Sequence, residues 1–272
     1  MINLHPIADY MYSFFHQFLA AEKGLSTNSI LAYRDAIKLL LCFTADLLEK
    51  KVDQLNIEDL DEKIILSFLG YLENERKCSA RTRNARLAAI RTFFDFIGRR
   101  EPALLQQCLK IRGIPQKRFE HKAIDYLESN EMQSIFDAVD INSRTEVRDK
   151  ALLLVLYNTG ARVSEVADIK INDVRLEAPG QVKLIGKGKK QRACPLWPET
   201  VNAIKNYLRH RQPKNTEEEH LFLNANGESI TRFGIRYIIQ KYAQKAAQTC
   251  PVLKEKTVGP HTVRHSTAIH LI

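Results

Sequence analysis

Four side chains that could act on a phosphate lie in three short runs in the second half of the chain. Arg162 stands in TGARVSE, Lys187 lies between two glycines in LIGKGKKQR, and His261 and Arg264 lie three residues apart in PHTVRH. A pair of arginines can grip the nonbridging oxygens of a phosphate and stabilise the charge of its transition state. A lysine can protonate a leaving alkoxide, and a histidine can hydrogen-bond the phosphate or assist the attacking group. This set of side chains suits phosphoryl transfer that needs no metal ion.

Two of these runs, taken by themselves, also have a simpler interpretation. The GKGKK turn lacks the GxxxxGK[ST] spacing of a P-loop, and a basic hairpin tip kept soluble by its charge has the same composition. Glu165 follows Arg162 by three residues, so that it could orient the arginine side chain or form an ordinary surface ion pair with it. The phosphate interpretation depends on the runs meeting in one site.

A metal site is the main alternative for the last run. His261 and His265 are four residues apart, and His270 follows. A zincin needs a glutamate directly after its first histidine, where this chain has Thr262, and no Asp or Glu stands near to complete a ligand set. We therefore predict no metal ion and no cofactor.

The composition points to an intracellular protein with a polyanionic partner. The 272 residues carry a net charge of +9, so that nucleic acid is the first candidate partner and an anionic membrane surface the second. No run approaches the roughly 20 apolar residues of a membrane span, and MINLHPIADYMYSFF lacks the basic start of a signal peptide. Scattered cysteines without CxxC spacing favour free thiols in a reducing cytoplasm: Cys42, Cys78, Cys108, Cys194 and Cys250.

The candidate side chains must be positioned by a mixture of helices and strands. A helix is predicted from near Ser129, and RTEVRDKALLLVLYNTG predicts a long helix that ends at Gly160. VSEVAD predicts a short helix, and QVKLIGKGKKQRACPL predicts two short strands around a glycine-containing turn. Three further helices are predicted in PETVNAIKNYLRHR, TRFGIRYIIQKYAQKAAQ and PHTVRHSTAIHLI, where Pro260 suits the first helical position.

The N-terminal part is predicted to be helical throughout. TNSILAYRDAIKLLLCFTADLL repeats apolar residues at three- and four-residue steps, with Thr27 or Asn28 as the cap. LNIEDLDEKIILSFLGYLENER predicts a second amphipathic helix. SARTRNARLAAIRTFFDFIG predicts a third that begins near Ser79 and carries four apolar side chains on one face, namely Leu87, Ile90, Phe94 and Ile97.

Residues 112–124, RGIPQKRFEHKAI, are predicted to form an exposed linker. They contain Gly113 and Pro115 and are rich in cations. Such a segment could lie along a phosphate backbone, or it could be a solvated connector between two folded parts.

The chain resembles the tyrosine recombinase family, which comprises phage integrases and Xer-type recombinases. The runs that carry the resemblance are TGARVSEVADIKINDV, LIGKGKKQRACPL and PHTVRHSTAIHLI, in the order of the family, while STNSILAYRDAIKLLLCF and SARTRNARLAAIRTFFDFI resemble its core-binding domain. The resemblance implies an all-α, SAM-like bundle over residues 1–111 and the linker over residues 112–124. It implies a mixed α+β catalytic domain over residues 125–272, mainly helical with a small antiparallel sheet. The two domains are expected to clamp duplex DNA.

The resemblance also implies roles for individual residues. Arg162 and Arg264 are expected to bind the phosphate, Lys187 to be the general acid, His261 to be the first histidine of the site and Glu165 to support it. The implied reaction is the cutting and rejoining of double-stranded DNA through a 3′-phosphotyrosyl intermediate, by dimers or tetramers on DNA, in the cytoplasm. DNA contacts are expected from a set of cations that could otherwise form a solvated face: Arg81, Arg83, Arg86, Arg91, Lys117 and Arg118.

The resemblance further raises an expectation about the C-terminal end. Family members continue with a GH-type motif and then the nucleophilic tyrosine, whereas none of the nine tyrosines here follows Arg264. The last helix carries apolar residues that a longer chain would bury, namely Ile269, Leu271 and Ile272. We therefore expect a chain truncated before its nucleophile and inactive alone. It would be an enzyme in full length, or else a DNA-binding fragment that occupies a recombination core site.

Overall fold

The computed structural model describes residues 4–119, 125–186, 188 and 190–271. The chain divides into two compact units, Met1–His121 and Lys122–Ile272, and each unit has its own hydrophobic core. None of the helices within the described ranges combines the length and the apolar character that crossing a lipid bilayer requires.

Within residues 4–119 the first unit contains five α-helices, and short polar side chains cap α2, α3 and α4. Ser79 caps α4 by accepting a hydrogen bond from the Thr82 amide, at the predicted start. The cap of α2 is Ser26, one residue before Thr27 and two before Asn28, the two predicted caps. The helices are α1 (Ile7–Tyr12), which continues into a π-helical segment (Ser13–Glu22), α2 (Thr27–Leu48), α3 (Glu62–Asn74), α4 (Ala80–Arg100) and α5 (Leu105–Gly113).

The second predicted helix is divided into two pieces. The Asp59 carboxylate accepts a hydrogen bond from the Asn56 amide at 2.9 Å and closes a single 3₁₀ turn. The Asp61 carboxylate then accepts from the Ile64 amide at 2.8 Å and starts α3. Asp59 ends the first turn and bonds to its N-cap, Asn56, whereas Asp61 is the N-cap of α3, so that two helices start here separately.

Aromatic side chains fill the core of the first unit. The four apolar residues predicted on one face of α4 are all completely buried, which confirms that face: Leu87, Ile90, Phe94 and Ile97. Phe93 and Phe96 of α4 pack against Phe14 of the π-helical segment, with ring centroids 5.0 and 5.3 Å apart. Edge and tilted ring contacts of this kind add to the free energy gained by burying the aromatic surface.

The start of the predicted linker is packed against α4. Ile114 is buried, and the carbonyl oxygen of Pro115 accepts a hydrogen bond from the Arg83 guanidinium at 3.2 Å. The Asn84 side chain accepts from the Lys117 amide at 3.0 Å and donates to its carbonyl oxygen at 2.7 Å. Residues 112, 113 and 115–119 are exposed, as predicted, while Ile114 and the hydrogen bonds to α4 hold this stretch against the helix.

The second unit is mainly helical with a small antiparallel sheet, as predicted. Its sheet has the order β1-β2-β3, and the two-residue strand β1 was not predicted. The elements are α6 (Ser129–Asp137), α7 (Arg144–Thr159), α8 (Val163–Ala167), β1 (Val174–Arg175), β2 (Gln181–Ile185), β3 (Gln191–Pro195), α9 (Pro198–His210), α10 (Arg232–Ala246) and α11 (Pro260–His270).

Helix α7 forms the centre of the second unit. Six consecutive residues from Ala151 to Leu156 are each at most 2% exposed, so that the helix is enclosed on every side. The helix ends where Gly160 adopts a positive φ of 55°, as the sequence predicted. In the sheet, Leu184 pairs with Arg192 and Ile185 with Gln191. The end of this hairpin and the end of α7 position the candidate site.

Candidate active site

Arg162 lies at the junction between α7 and α8. It is the N-cap residue of α8, and its amide donates to Oε2 of Glu165 at 3.0 Å. Its guanidinium Nη1 donates to Oε1 of the same carboxylate, also at 3.0 Å. The side chain of Arg162 is 52% exposed, whereas that of Glu165 is 3% exposed. The guanidinium is thus fixed at one nitrogen and open to solvent elsewhere.

Glu165 is a buried carboxylate shared by two arginines. Arg192, on β3, donates from Nη2 to Oε2 of Glu165 at 2.6 Å. Burial raises the pKa of Glu165, but the hydrogen bonds from Arg192 and Arg162 outweigh it and bring the pKa down to about 2. The alternative of an ordinary surface ion pair is therefore wrong, since the carboxylate lies inside the protein.

Arg264 approaches the same place from α11. The helix begins at Pro260, as predicted, and Nη1 of Arg264 donates to the carbonyl oxygen of Gly160 at 2.5 Å. Burial and the nearby charge of Arg162 both lower the pKa of Arg264, while Glu165 opposes them. Two guanidiniums that repel each other favour an anion between them.

The two arginines line one open cavity of about 520 Å³ together with His261. The same cavity is lined by Arg232 and Arg236, exposed residues at the start of α10 that the sequence reasoning missed. Their spacing of four residues places both on one face of a helix, which is the signal that could have found them. Four arginines therefore line the cavity, which suits it to bind an anion.

The predicted general acid, Lys187, lies outside the described residues. The base of its turn is described, where the Gly186 amide donates to the carbonyl oxygen of Lys190 at 2.7 Å. A Cβ atom at Gly186 would stand 3.1 Å from Oε1 of Glu165. The hairpin that carries Lys187 in the sequence therefore closes directly against the buried carboxylate.

The three histidines of α11 were considered as a possible metal site in the sequence. His270 places Nδ1 2.7 Å from the hydroxyl of Tyr157, and the rings of His261 and His265 have centroids 6.5 Å apart. Within the described ranges no group of three or more His, Cys, Asp or Glu side chains is arranged to hold a metal ion. Ile269 and Leu271 of the predicted apolar face are 45% and 63% exposed.

Three of the predicted DNA-contacting cations have structural roles in the first unit. Arg83 is 5% exposed and donates to the side chain of Asn84, so that its predicted contact with DNA is wrong. Arg91 is half-buried and donates to the carbonyl oxygen of Ile114. Arg86 is half-buried and donates to the sulfur of Cys78 at 3.1 Å.

The other three predicted DNA-contacting cations are exposed. Lys117 pairs with Glu73 at 2.8 Å, and the guanidinium of Arg81 lies 5.3 Å from the ring centroid of Phe119. Arg118 follows Lys117 in the chain and is also exposed. These three side chains can reach a phosphate backbone, and their contact with DNA stays a prediction.

Two family models match most of the chain. The phage integrase family matches residues 125–272, and the N-terminal SAM-like domain of phage integrases matches residues 13–101. The first match contains the whole candidate site.

Individual relatives agree with these matches. The integrase/recombinase y4rD of Sinorhizobium fredii is 35% identical over 260 residues, which cover 95% of this chain and 92% of that protein. Tyrosine recombinase XerD of Staphylococcus epidermidis is 34% identical over 258 residues, which cover 94% of this chain and 82% of that protein. Among solved structures, a Tn1549 transposon integrase in complex with a circular intermediate DNA has the same fold. It aligns with a TM-score of 0.72 at 15% identity, over 99% of this chain and 87% of that one. The chain belongs to the phage integrase family of tyrosine recombinases, the enzymes that cut and rejoin DNA strands in site-specific recombination.

Proposed function

We propose that this chain carries the phosphate-binding site of a site-specific DNA recombinase that acts through a 3′-phosphotyrosyl intermediate. The observation that supports this most is that Arg162, Arg264 and His261 line one open cavity. Each arginine is anchored at one nitrogen, to Glu165 or to the Gly160 carbonyl, and keeps further N–H groups for a phosphate.

In the proposed reaction, a tyrosine hydroxyl attacks the scissile phosphorus and the bond to the 5′-oxygen breaks. Arg162 and Arg264 stabilise the charge that develops on the nonbridging oxygens. Lys187 gives a proton to the leaving 5′-oxygen, and His261 hydrogen-bonds the phosphate or assists the attacking hydroxyl. Rejoining runs the same steps in reverse. In the proposed reaction no cofactor or metal ion takes part.

Double-stranded DNA is the proposed partner. The net charge of +9 favours a polyanion, and Arg232 and Arg236 extend the cationic lining of the cavity along α10. The related Tn1549 integrase and XerH were solved in complex with DNA. We propose that Arg81, Lys117 and Arg118 contribute phosphate contacts from the first unit, and that the protein acts as a dimer or tetramer on DNA.

A second proposal concerns the 272 residues taken alone. All nine tyrosines precede Arg264, and the hydroxyls of Tyr157 and Tyr242 are engaged by His270 and Asp149. We propose that these 272 residues bind a recombination core site without cleaving it, because the covalent step needs a tyrosine at the phosphate.

The test starts by selecting bound duplexes from a random library with the 272-residue chain. Binding of the selected duplex is then measured against salt concentration, and affinity should fall steeply because cationic contacts release counterions. Arg162→Glu should lose affinity while keeping the helix content seen by circular dichroism. The proposal is contradicted if the chain does not bind at low salt, or if its affinity does not change with salt concentration.

Cleavage is tested with the same duplex carrying a nick that traps the covalent adduct. The chain alone should give no protein–DNA adduct on a denaturing gel. An adduct at the half-site of this chain after addition of an intact relative indicates that a neighbouring protomer donates the tyrosine. An adduct formed by the chain alone contradicts the second proposal.

A further inference from the structure

We infer that Arg192 is a positioning residue of the proposed site, which acts on the phosphate-binding Arg162 through the carboxylate of Glu165. The inference rests on the proposed function, since it assigns a role in holding a residue of that site. Arg192 does not line the cavity, and it belongs to a strand 27 residues along the chain from Glu165.

The hydrogen bonds around Glu165 form a chain from β3 to Arg162. Arg192 Nη2 donates to Oε2 of Glu165 at 2.6 Å, and the amide of Arg162 donates to the same oxygen. The other oxygen, Oε1, accepts from Nη1 of Arg162. Both oxygens are therefore occupied, and the bond from Arg192 fixes the rotation of the carboxyl group. That rotation sets where the guanidinium of Arg162 can lie.

The register of the sheet delivers Arg192 to this carboxylate. Arg192 pairs with Leu184, one pair before the turn that begins at Gly186. A Cβ atom on Gly186 would stand 3.1 Å from Oε1 of Glu165 and 3.5 Å from Nη1 of Arg192. The absence of a side chain at Gly186 thus leaves room for the Glu165 carboxylate to contact the Arg192 guanidinium. This contact joins the hairpin to α8.

Arg192 also keeps Glu165 ionised. The bond to Glu165 raises the pKa of Arg192, and the bond from Arg192 is the largest of the effects that lower the pKa of Glu165. Among the described residues, the charged groups facing Glu165 are Arg162 from α8, Arg192 from β3 and Arg264 from α11. Burial raises the pKa of Glu165, and without Arg192 fewer hydrogen bonds lower it. Glu165 then takes up a proton at a higher pH.

The first arm of the test measures the pKa of Glu165 in the absence of DNA. The 272-residue chain is labelled with ¹³C in the glutamate carboxyl carbons, and the Glu165 resonance is assigned by its loss in Glu165→Gln. In Arg192→Met the titration midpoint should rise from about 2 toward the ordinary value of 4.5. Arg192→Lys, which keeps a cation, should recover most of the depression. An unchanged midpoint in Arg192→Met overturns the inference.

A matched control is Lys183→Met, which removes the same charge from the neighbouring strand. Lys183 is exposed on β2 and pairs with Ala193, on the opposite face of the sheet from Arg192. Its substitution should leave the Glu165 midpoint in place. A shift as large as that in Arg192→Met overturns the inference, because the effect is then one of general charge.

The second arm measures affinity for the selected duplex in a double-mutant cycle. Arg192→Met should weaken binding roughly three- to tenfold in the wild-type background and by less than about twofold when Arg162→Ala is already present. The loss should grow as the pH falls toward the new midpoint of Glu165. An equal loss in both backgrounds overturns the inference, since Arg192 then touches DNA directly.

The two arms separate this inference from the proposed function. If the wild-type chain binds no duplex, the proposed function fails, while the carboxyl titration still decides whether Arg192 holds Glu165. If the wild-type chain binds DNA and Arg192→Met changes neither the titration nor the affinity, only the present inference fails.

Discussion

The carbonyl oxygen of Gly160 accepts a hydrogen bond from Nη1 of Arg264 at 2.5 Å. Gly160 ends the central helix α7 with a positive φ, and Arg264 belongs to the last helix. A free carbonyl at a helix C-terminus carries partial negative charge, which suits a guanidinium. The C-terminal end of α7 therefore orients one arginine through Gly160 and introduces the other, Arg162, two residues later.

The first prediction concerns Gly160→Ala. The φ of 55° disfavours any side chain, and a Cβ atom would stand 3.3 Å from Cγ2 of Thr267. We expect the substitution to lower the free energy of unfolding by roughly 1–2 kcal/mol, as measured by urea denaturation. The affinity for the selected duplex should also fall, because the carbonyl that holds Arg264 moves.

Gly70→Ala is the control for that measurement. Gly70 lies inside α3 with nothing within 4 Å of a Cβ atom and without a positive φ, so the substitution should stabilise the protein by about 0.5–1 kcal/mol. Equal effects of the two substitutions would show that the backbone angle at Gly160 is unimportant.

The second prediction concerns stability and pH through Glu165. Its pKa is about 2 in the folded protein against an ordinary 4.5. A lowered pKa contributes stability that is fully present above the ordinary value and is lost as the pH falls from 4.5 toward 2. The contribution at neutral pH is up to about 3 kcal/mol.

Glu165→Gln removes this pH dependence. We expect the difference in unfolding free energy between wild type and Glu165→Gln to be largest at neutral pH and to shrink as the solution is acidified. Urea denaturation at a series of pH values measures it. A difference that stays constant down to acidic pH contradicts the assigned pKa.

The third prediction concerns the segment that follows α5. Asn84→Ala removes both hydrogen bonds to the backbone of Lys117, which should release this stretch from α4. Trypsin should then cut after Lys117 or Arg118 several-fold faster than in the wild type, since cleavage needs a locally open backbone. Asn74→Ala, at an exposed position at the end of α3, should leave the cutting rate unchanged.

The fourth prediction concerns the arginines of α10. If Arg232 and Arg236 each touch a phosphate, alanine at either position should lower the slope of log affinity against log salt by about 1. Lys205→Ala is the control, because Lys205 is exposed on α9 and does not line the cavity. If the slopes of Arg232→Ala and Arg236→Ala do not differ from that of Lys205→Ala, the DNA does not contact these two arginines.

The helices and strands of the second unit were largely predictable because the sequence patterns that mark their ends are local. Gly160 after an apolar run marks a helix end, and Pro260 marks a helix start, without any knowledge of distant residues. Strand β1 was not predicted, since two residues give no periodicity to read.

The burial of Arg83 could be predicted only from its position in the helical repeat of α4. Arg83 precedes Leu87 by four residues and therefore lies on the same buried face of α4. By residue type alone, Arg83 is indistinguishable from the exposed cations of the same helix. Arg192 could not be found in this way, because its role depends on a contact between β3 and α8 that no local pattern encodes.

The enclosure of α7 has a consequence for how long the site keeps its shape. Amides in a helix that is buried on every side exchange with solvent only when the whole unit opens. Gly160 ends this helix, so its carbonyl moves with the slowest-opening part of the second unit. The backbone that carries the partner of Arg264 should therefore stay in place until the second unit opens, and hydrogen exchange at residues 151–156 measures the rate of that opening.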